Sequence, residues 1–187
     1  MQTPLLTYIL FAPTLAALIV ALLPKERLAL IRWFSLGASL VPFLLTLAAW
    51  SQFNLVNPSG TGFALVEQAV WYPAIGASYK LGLDGVALAM VFLTTLLTPL
   101  VILASFSISD KVKAYMALFL LLETGMLGVF MSLDLFLFFV FWEVGLVPMY
   151  FLISLWGGTN RNYASLKFIL YTMGGSLGLL LAVQLIG

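Results

Sequence analysis

Six runs of about 20 residues, each almost wholly apolar, dominate this 187-residue chain. They fall near 5–23, 31–52, 85–105, 113–131, 134–156 and 164–185. A run of that length crosses a hydrocarbon core of about 30 Å as an α-helix. Lipid offers no hydrogen bonds, so each backbone polar group must be satisfied within the segment. The expected fold is therefore an all-α integral membrane protein with six transmembrane helices. Three segments follow: 1–52 with two helices, 53–84 as a long connection, and 85–187 with four helices. The first run lacks a basic leader and a small-residue cleavage site, so it reads as a retained helix and not a signal peptide.

Composition narrows the function. Apolar residues make up 63% and charged residues 8%, against about 50% and 25% in soluble domains. The formal net charge is +1, which gives nucleic-acid binding no electrostatic support; the lipid bilayer is the expected surroundings. There are no cysteines and no histidines. Cysteine-ligated iron–sulfur clusters and His- or Cys-ligated haem are therefore excluded from this chain, and a zinc site is disfavoured. No metal-binding or cofactor-binding residue is expected here.

Basic residues set the expected orientation. Lys25, Arg27 and Arg32 flank the first connection, Lys111 and Lys113 the third, and Arg161 and Lys167 the fifth. Only Lys80 lies on the opposite face. Both termini are thus expected on the non-cytoplasmic side, with segment 53–84 outside. Within it, Phe63–Tyr72 and Ser78–Leu83 read as strands around turn residues at 73–77, which predicts a short outer β-hairpin between helices two and three. Asp84 and Asp134 read as N-caps of helices three and five.

Two carboxylates lie deep in the spans. Glu123 is ten residues before Leu133, at the turn between helices four and five, and Glu143 is ten residues after it. At 1.5 Å per residue each is about 15 Å from the turn, near mid-membrane and at similar depth. An ionisable group there marks a proton or cation site by default. If the two share a cavity, they titrate as a coupled pair; otherwise Glu123 serves as an interhelical hydrogen-bonding group. Pro148 frees the Val144 carbonyl near Glu143, either for a water or simply as a kink. Pro42 and Pro99 free the Ala38 and Thr95 carbonyls, with Thr94, Thr95 and Thr98 available to satisfy some of them. Lys167, near the start of helix six, either snorkels to the surface or admits protons. Gly174 and Gly178 predict close helix packing. The Phe136–Phe141 run and Trp142 read as lipid or core packing.

The run Leu133-Asp-Leu-Phe-Leu-Phe-Phe-Val-Phe-Trp-Glu143-Val-Gly-Leu-Val-Pro-Met-Tyr-Phe-Leu, then Trp156-Gly-Gly, Tyr163-Ala and Lys167-Phe-Ile-Leu-Tyr-Thr-Met-Gly-Gly-Ser176, with Leu81-Gly-Leu-Asp84-Gly upstream, resembles the antiporter-like membrane subunit M (subunit 4) of respiratory complex I. The similarity covers most of 80–187. It implies proton translocation coupled to quinone reduction, with Glu143, Glu123 and Lys167 matching the family's helix-five Glu, helix-four Glu and helix-six Lys. It places the start of the first antiporter-like repeat in 85–187. NADH or ferredoxin chemistry, quinone, flavin and iron–sulfur clusters belong, on this resemblance, to partner subunits, and the other membrane-arm subunits are the expected partners.

A bacterial inner (plasma) membrane is the implied location, with thylakoid or mitochondrial inner membrane as the alternative. Family members are longer and carry two inverted repeats, so the chain is expected to be a fragment or a split-gene product. A subunit of a multi-subunit Na+/H+ antiporter is the alternative function, and a structural scaffold is a third.

Overall fold

The computed structural model describes residues 4–56, 62–72 and 77–186. Six helices long and apolar enough to cross a membrane are present among them. They are α1 (Leu5–Leu22), α2 (Leu28–Val56), α3 (Gly85–Ala104), α4 (Val112–Met131), α5 (Leu135–Trp156) and α6 (Arg161–Ile186). α2 and α6 begin about one turn earlier than their apolar runs, because Leu28–Leu30 and Arg161–Tyr163 continue the helical backbone into the polar flank. The turn residues 73–76 lie outside the described residues.

α4 is the centre of the bundle. It packs against α1, α2, α3 and α5, while α6 packs on α5. One apolar cluster at the end near the helix-one start joins Leu6, Leu10, Phe53, Leu88, Leu127 and Phe141. A second at the other end joins Val20, Ile31, Ile102, Met116 and Leu120. α2 turns a periodic stripe inward, Ile31, Ser35, Ser39, Pro42, Thr46, Ala49 and Phe53. Most of that stripe is small, which lets α2 lie close to its neighbours.

The prolines sit inside α1, α2, α3 and α5 at Pro13, Pro42, Pro99 and Pro148. The threonines of α3 do not serve the carbonyl that Pro99 frees. Thr94, Thr95 and Thr98 donate to the Met90, Val91 and Thr94 carbonyls at 2.8, 2.9 and 2.9 Å. A hydroxyl can reach back three or four residues, and Thr98, three residues after Thr95, takes the Thr94 carbonyl instead.

Strands β1 (Ala64–Tyr72) and β2 (Ala77–Leu83) form the expected hairpin, antiparallel with Glu67 opposite Leu81 and Ala69 opposite Tyr79. It sits at the end of the bundle that holds the α1 start and the α4–α5 turn. That turn is tied to it by a single β-bridge: Leu81 pairs with Ser132, and the Leu133 amide donates to the Lys80 carbonyl at 2.9 Å.

Candidate functional site

The α4–α5 hairpin carries both membrane carboxylates, and its packing decides where they point. Gly125 and Gly145 meet backbone to backbone: a Cβ on Gly125 would lie 2.7 Å from the Gly145 Cα. One turn further, Gly128 makes room for the Phe141 ring. The sequence places close packing at Gly174 and Gly178 instead, but a Cβ at either would meet nothing within 4 Å among the described residues. The close approach belongs to α4 and α5 because α6 leaves most of its surface uncovered.

This contact corrects the expected depths. Each carboxylate lies two residues before its glycine, on antiparallel helices, so the two are displaced in opposite directions by about 6 Å in total. Counting from the turn missed this offset because residues 132–134 run extended along β2, rising about 3.3 Å per residue before α5 begins.

The rotations also differ. Glu123 stands about 200° around α4 from Gly125, so it points away from α5. It is fully buried, with Thr98 of α3 as a polar neighbour. The Thr98 hydroxyl is already committed to Thr94, and neither Glu123 oxygen has a hydrogen-bond partner among the described residues. Glu143 stands a similar 200° from Phe141, on the side of α5 turned away from α4. It is half-buried, and its Oε1 is enclosed without a partner among the described residues. The shared cavity considered from sequence is therefore not formed by these two helices. The groove that does lie between them, about 290 Å³, is lined by Met126, Phe130, Trp142, Met149 and other apolar groups.

Lys167 is exposed on α6. Its Nζ lies 5.7 Å from the Tyr163 ring centre and 5.8 Å from that of Tyr171. Residues one turn to either side thus hold the ammonium by cation–π attraction, with no carboxylate in the contact.

Sequence reasoning missed Glu67. Helix α1 starts after Pro4 with no side-chain cap of its own. The Glu67 carboxylate of β1 takes that role, accepting from the Leu6 amide at 2.6 Å, the Thr7 amide at 3.0 Å and the Thr7 hydroxyl at 2.6 Å. The missing cap at Pro4–Thr7 was the readable signal, since the first amides of a helix need an acceptor from somewhere.

Asp134 does more than expected. Its Oδ1 caps α5 through the Phe136 and Leu137 amides, and its Oδ2 accepts from the Ser78 amide at 2.9 Å and the Ser78 hydroxyl at 3.1 Å. Partial burial alone would raise the Asp134 pKa, but these hydrogen bonds outweigh it and hold the carboxyl below its ordinary value. Asp84 caps α3 as read from sequence, with the Ala87 amide at 2.6 Å.

At the opposite end, basic side chains clip connections together. Arg32 donates to the Ile108 carbonyl at 2.7 Å, Lys113 to Leu23 at 2.8 Å and Arg161 to Leu155 at 2.9 Å. Such contacts satisfy carbonyls that helix ends leave open.

Comparison with known proteins places this arrangement. Residues 132–186, the segment that holds α5 and Glu143, match the family described as "NADH:quinone oxidoreductase/Mrp antiporter, TM". An NAD(P)H-quinone oxidoreductase chain 4 of Synechococcus elongatus is 44% identical over 182 residues, 97% of this chain and 34% of that protein. The chain is thus similar, over almost its whole length, to antiporter-like membrane subunits of this kind. Among solved structures, respiratory complex I from Thermus thermophilus with bound NADH aligns with a TM-score of 0.76 and 29% identity, over 92% of this chain and 33% of the matched one. The Mrp complex from Dietzia sp. aligns with a TM-score of 0.77 at 24% identity, over 95% of this chain and 19% of that one, and so shares the fold. The chain spans about a third of the length of the chain 4 relatives it matches.

Proposed function

We propose that this chain takes part in proton translocation in the membrane arm of a complex I-type NADH- or ferredoxin-quinone oxidoreductase. Glu143 is the proton-carrying group, Glu123 a second carboxylate on a separate face, and Lys167 a cation at the entry end of α6. The observation that carries this reading is Glu143 itself. It is a mid-span carboxylate with an enclosed oxygen that has no partner among the described residues, inside the segment that matches the antiporter-like family. A membrane chain rarely keeps such a group without use. A cationic partner within about 4–6 Å favours the carboxylate and its departure favours the acid. Alternation between those two arrangements takes up and releases a proton.

Further parts of the reading rest on the same resemblance. Electrons travel in partner subunits that carry the flavin, iron–sulfur clusters and quinone site. The orientation rests instead on the basic residues: their cluster belongs on the cytoplasmic side, so the α1 start, the hairpin and the α4–α5 turn face away from it. The membrane is the inner (plasma) membrane of a bacterium. A cation/proton antiporter shares the fold, but the named relatives at 38–44% identity are quinone oxidoreductase chains, and they favour the first reading.

The test is Glu143→Gln in the assembled complex, with proton uptake and quinone reductase rate measured in membrane vesicles. Gln keeps the shape and cannot ionise. Both rates should fall by about 10²-fold, the low end of what a positioned proton-transfer group contributes, with complex abundance unchanged. Normal pumping by a normally assembled Gln variant would overturn the proposal. Loss of sodium-driven proton exchange with intact quinone reduction would point to the antiporter instead.

A further inference from the structure

A cavity lined by neither carboxylate lies where the end of α1 and the starts of α2 and α4 come together. It is a groove of about 650 Å³ lined by Lys25, Lys111 and Lys113 at its rim and by Ala21, Leu28 and Ala117 along its wall, among others. Among the described residues no acidic one lines it. Glu26 and Asp110 are neighbours in sequence and are exposed outside it.

Three features make the groove two-sided in chemistry. Its rim is cationic, and Lys113 spends only one of its three N–H donors on the Leu23 carbonyl. Lys111 adopts a left-handed conformation, φ 48°, and stands at the N-cap of α4 without a side-chain cap. The first residues of α4, Val112, Lys113 and Ala114, also line the groove, so the positive end of a 20-residue helix faces the same space. Its wall is apolar and belongs to membrane-spanning helices. A soluble anion would leave that wall bare, and an uncharged lipid would leave the lysines unmatched. The groove also sits at the helix ends, at headgroup depth.

We propose that this groove binds an anionic phospholipid of the adjacent leaflet, with the headgroup phosphate on Lys25, Lys111, Lys113 and the α4 start, and an acyl chain along Ala21, Leu28 and Ala117. Juxtamembrane lysines attract anionic lipid by about a factor of five each.

The test uses the assembled complex carrying Ser109→Cys at the groove rim, labelled with a small fluorophore, since this chain has no cysteine of its own. The unsubstituted complex supplies the background from partner subunits. The complex is placed in phosphatidylcholine vesicles doped with spin-labelled phosphatidylglycerol or with an equal amount of spin-labelled phosphatidylcholine. Stronger quenching by the phosphatidylglycerol probe is expected, weakened about fivefold by each of Lys25→Gln, Lys111→Gln and Lys113→Gln. Inorganic phosphate should not compete. Equal quenching by the two probes, selectivity that survives the triple substitution, or no quenching by either probe because protein covers the groove would each overturn the proposal. Competition by inorganic phosphate would show a free-anion site and overturn it as well. None of these residues acts in the proton step, so this outcome is separate from that of Glu143→Gln.

Discussion

Asp134 and Glu67 show how single carboxylates hold the hairpin end of this bundle. Each satisfies backbone donors at a helix start, and each comes from or reaches a different element. Tyr79 joins them through a 2.8 Å contact with the Thr7 hydroxyl. Burial pushes the Tyr79 phenol above its ordinary pKa, the Thr7 bond opposes this, and the nearby Glu67 charge adds to the rise. Because the folded-state pKa of Asp134 is depressed, its contribution is complete above the unfolded value of about 3.9 and fades as pH falls through the lower folded value. Asp134→Asn should therefore raise amide hydrogen exchange around Ser78 by about fivefold at neutral pH, equivalent to ~1 kcal/mol. The wild type should approach the same rate only in strong acid, once intrinsic exchange is corrected for pH. Equal exchange at neutral pH would remove Asp134 from this role. Glu67→Ala should lower the stability of the α1 start by about 0.5–2 kcal/mol, visible as faster exchange at the Leu6 and Thr7 amides.

At the scale of elements, glycine is informative only where a neighbour occupies its missing side chain. Gly125→Ala forces a Cβ against the Gly145 backbone, which cannot turn aside as a side chain would. A loss of about 1–3 kcal/mol is expected, read as a lower unfolding temperature of the complex. Gly37→Ala, where nothing lies within 4 Å, should be neutral or stabilise α2 by up to ~1 kcal/mol. If both substitutions behaved alike, the close α4–α5 contact would be wrong. The same contact turns Glu123 toward α3 and Glu143 away from α4. Glu123→Cys combined with Glu143→Cys should then resist disulfide formation, whereas ready bridging would put the two side chains in a shared cavity.

At the scale of the whole molecule, the helix ends sort into two faces. The hairpin and the α4–α5 turn share one, and the connections that carry Ser109 and Asn160 share the other. The proposed topology, with both termini outside the cytoplasm, predicts that Ser109→Cys and Asn160→Cys react with an impermeant thiol reagent from the cytoplasmic side. Val70→Cys, on an exposed position of β1, should react from the opposite side. Labelling of all three from one side would sink the six-span arrangement.

The spans, the paired strands and two of the helix caps are legible in the chain alone. These are local matters. A run of apolar residues must cross or be buried, alternating β-formers flanked by turn residues pair with each other, and an Asp before a helix accepts its first amides. The family resemblance was equally local, because most of its motif lies between the start of α5 and the middle of α6, with one short piece just before α3. Tertiary structure alone decided which face of each helix meets which neighbour. A helix hydrophobic all round has no periodic stripe to announce its partner, so the rotations of Glu123 and Glu143 were not legible. They follow from the Gly125–Gly145 contact, between residues twenty positions apart. Glu67 reaching Thr7 across 60 residues is the same kind of fact: the need for an acceptor was written at the α1 start, and only the fold chose which carboxylate supplies it.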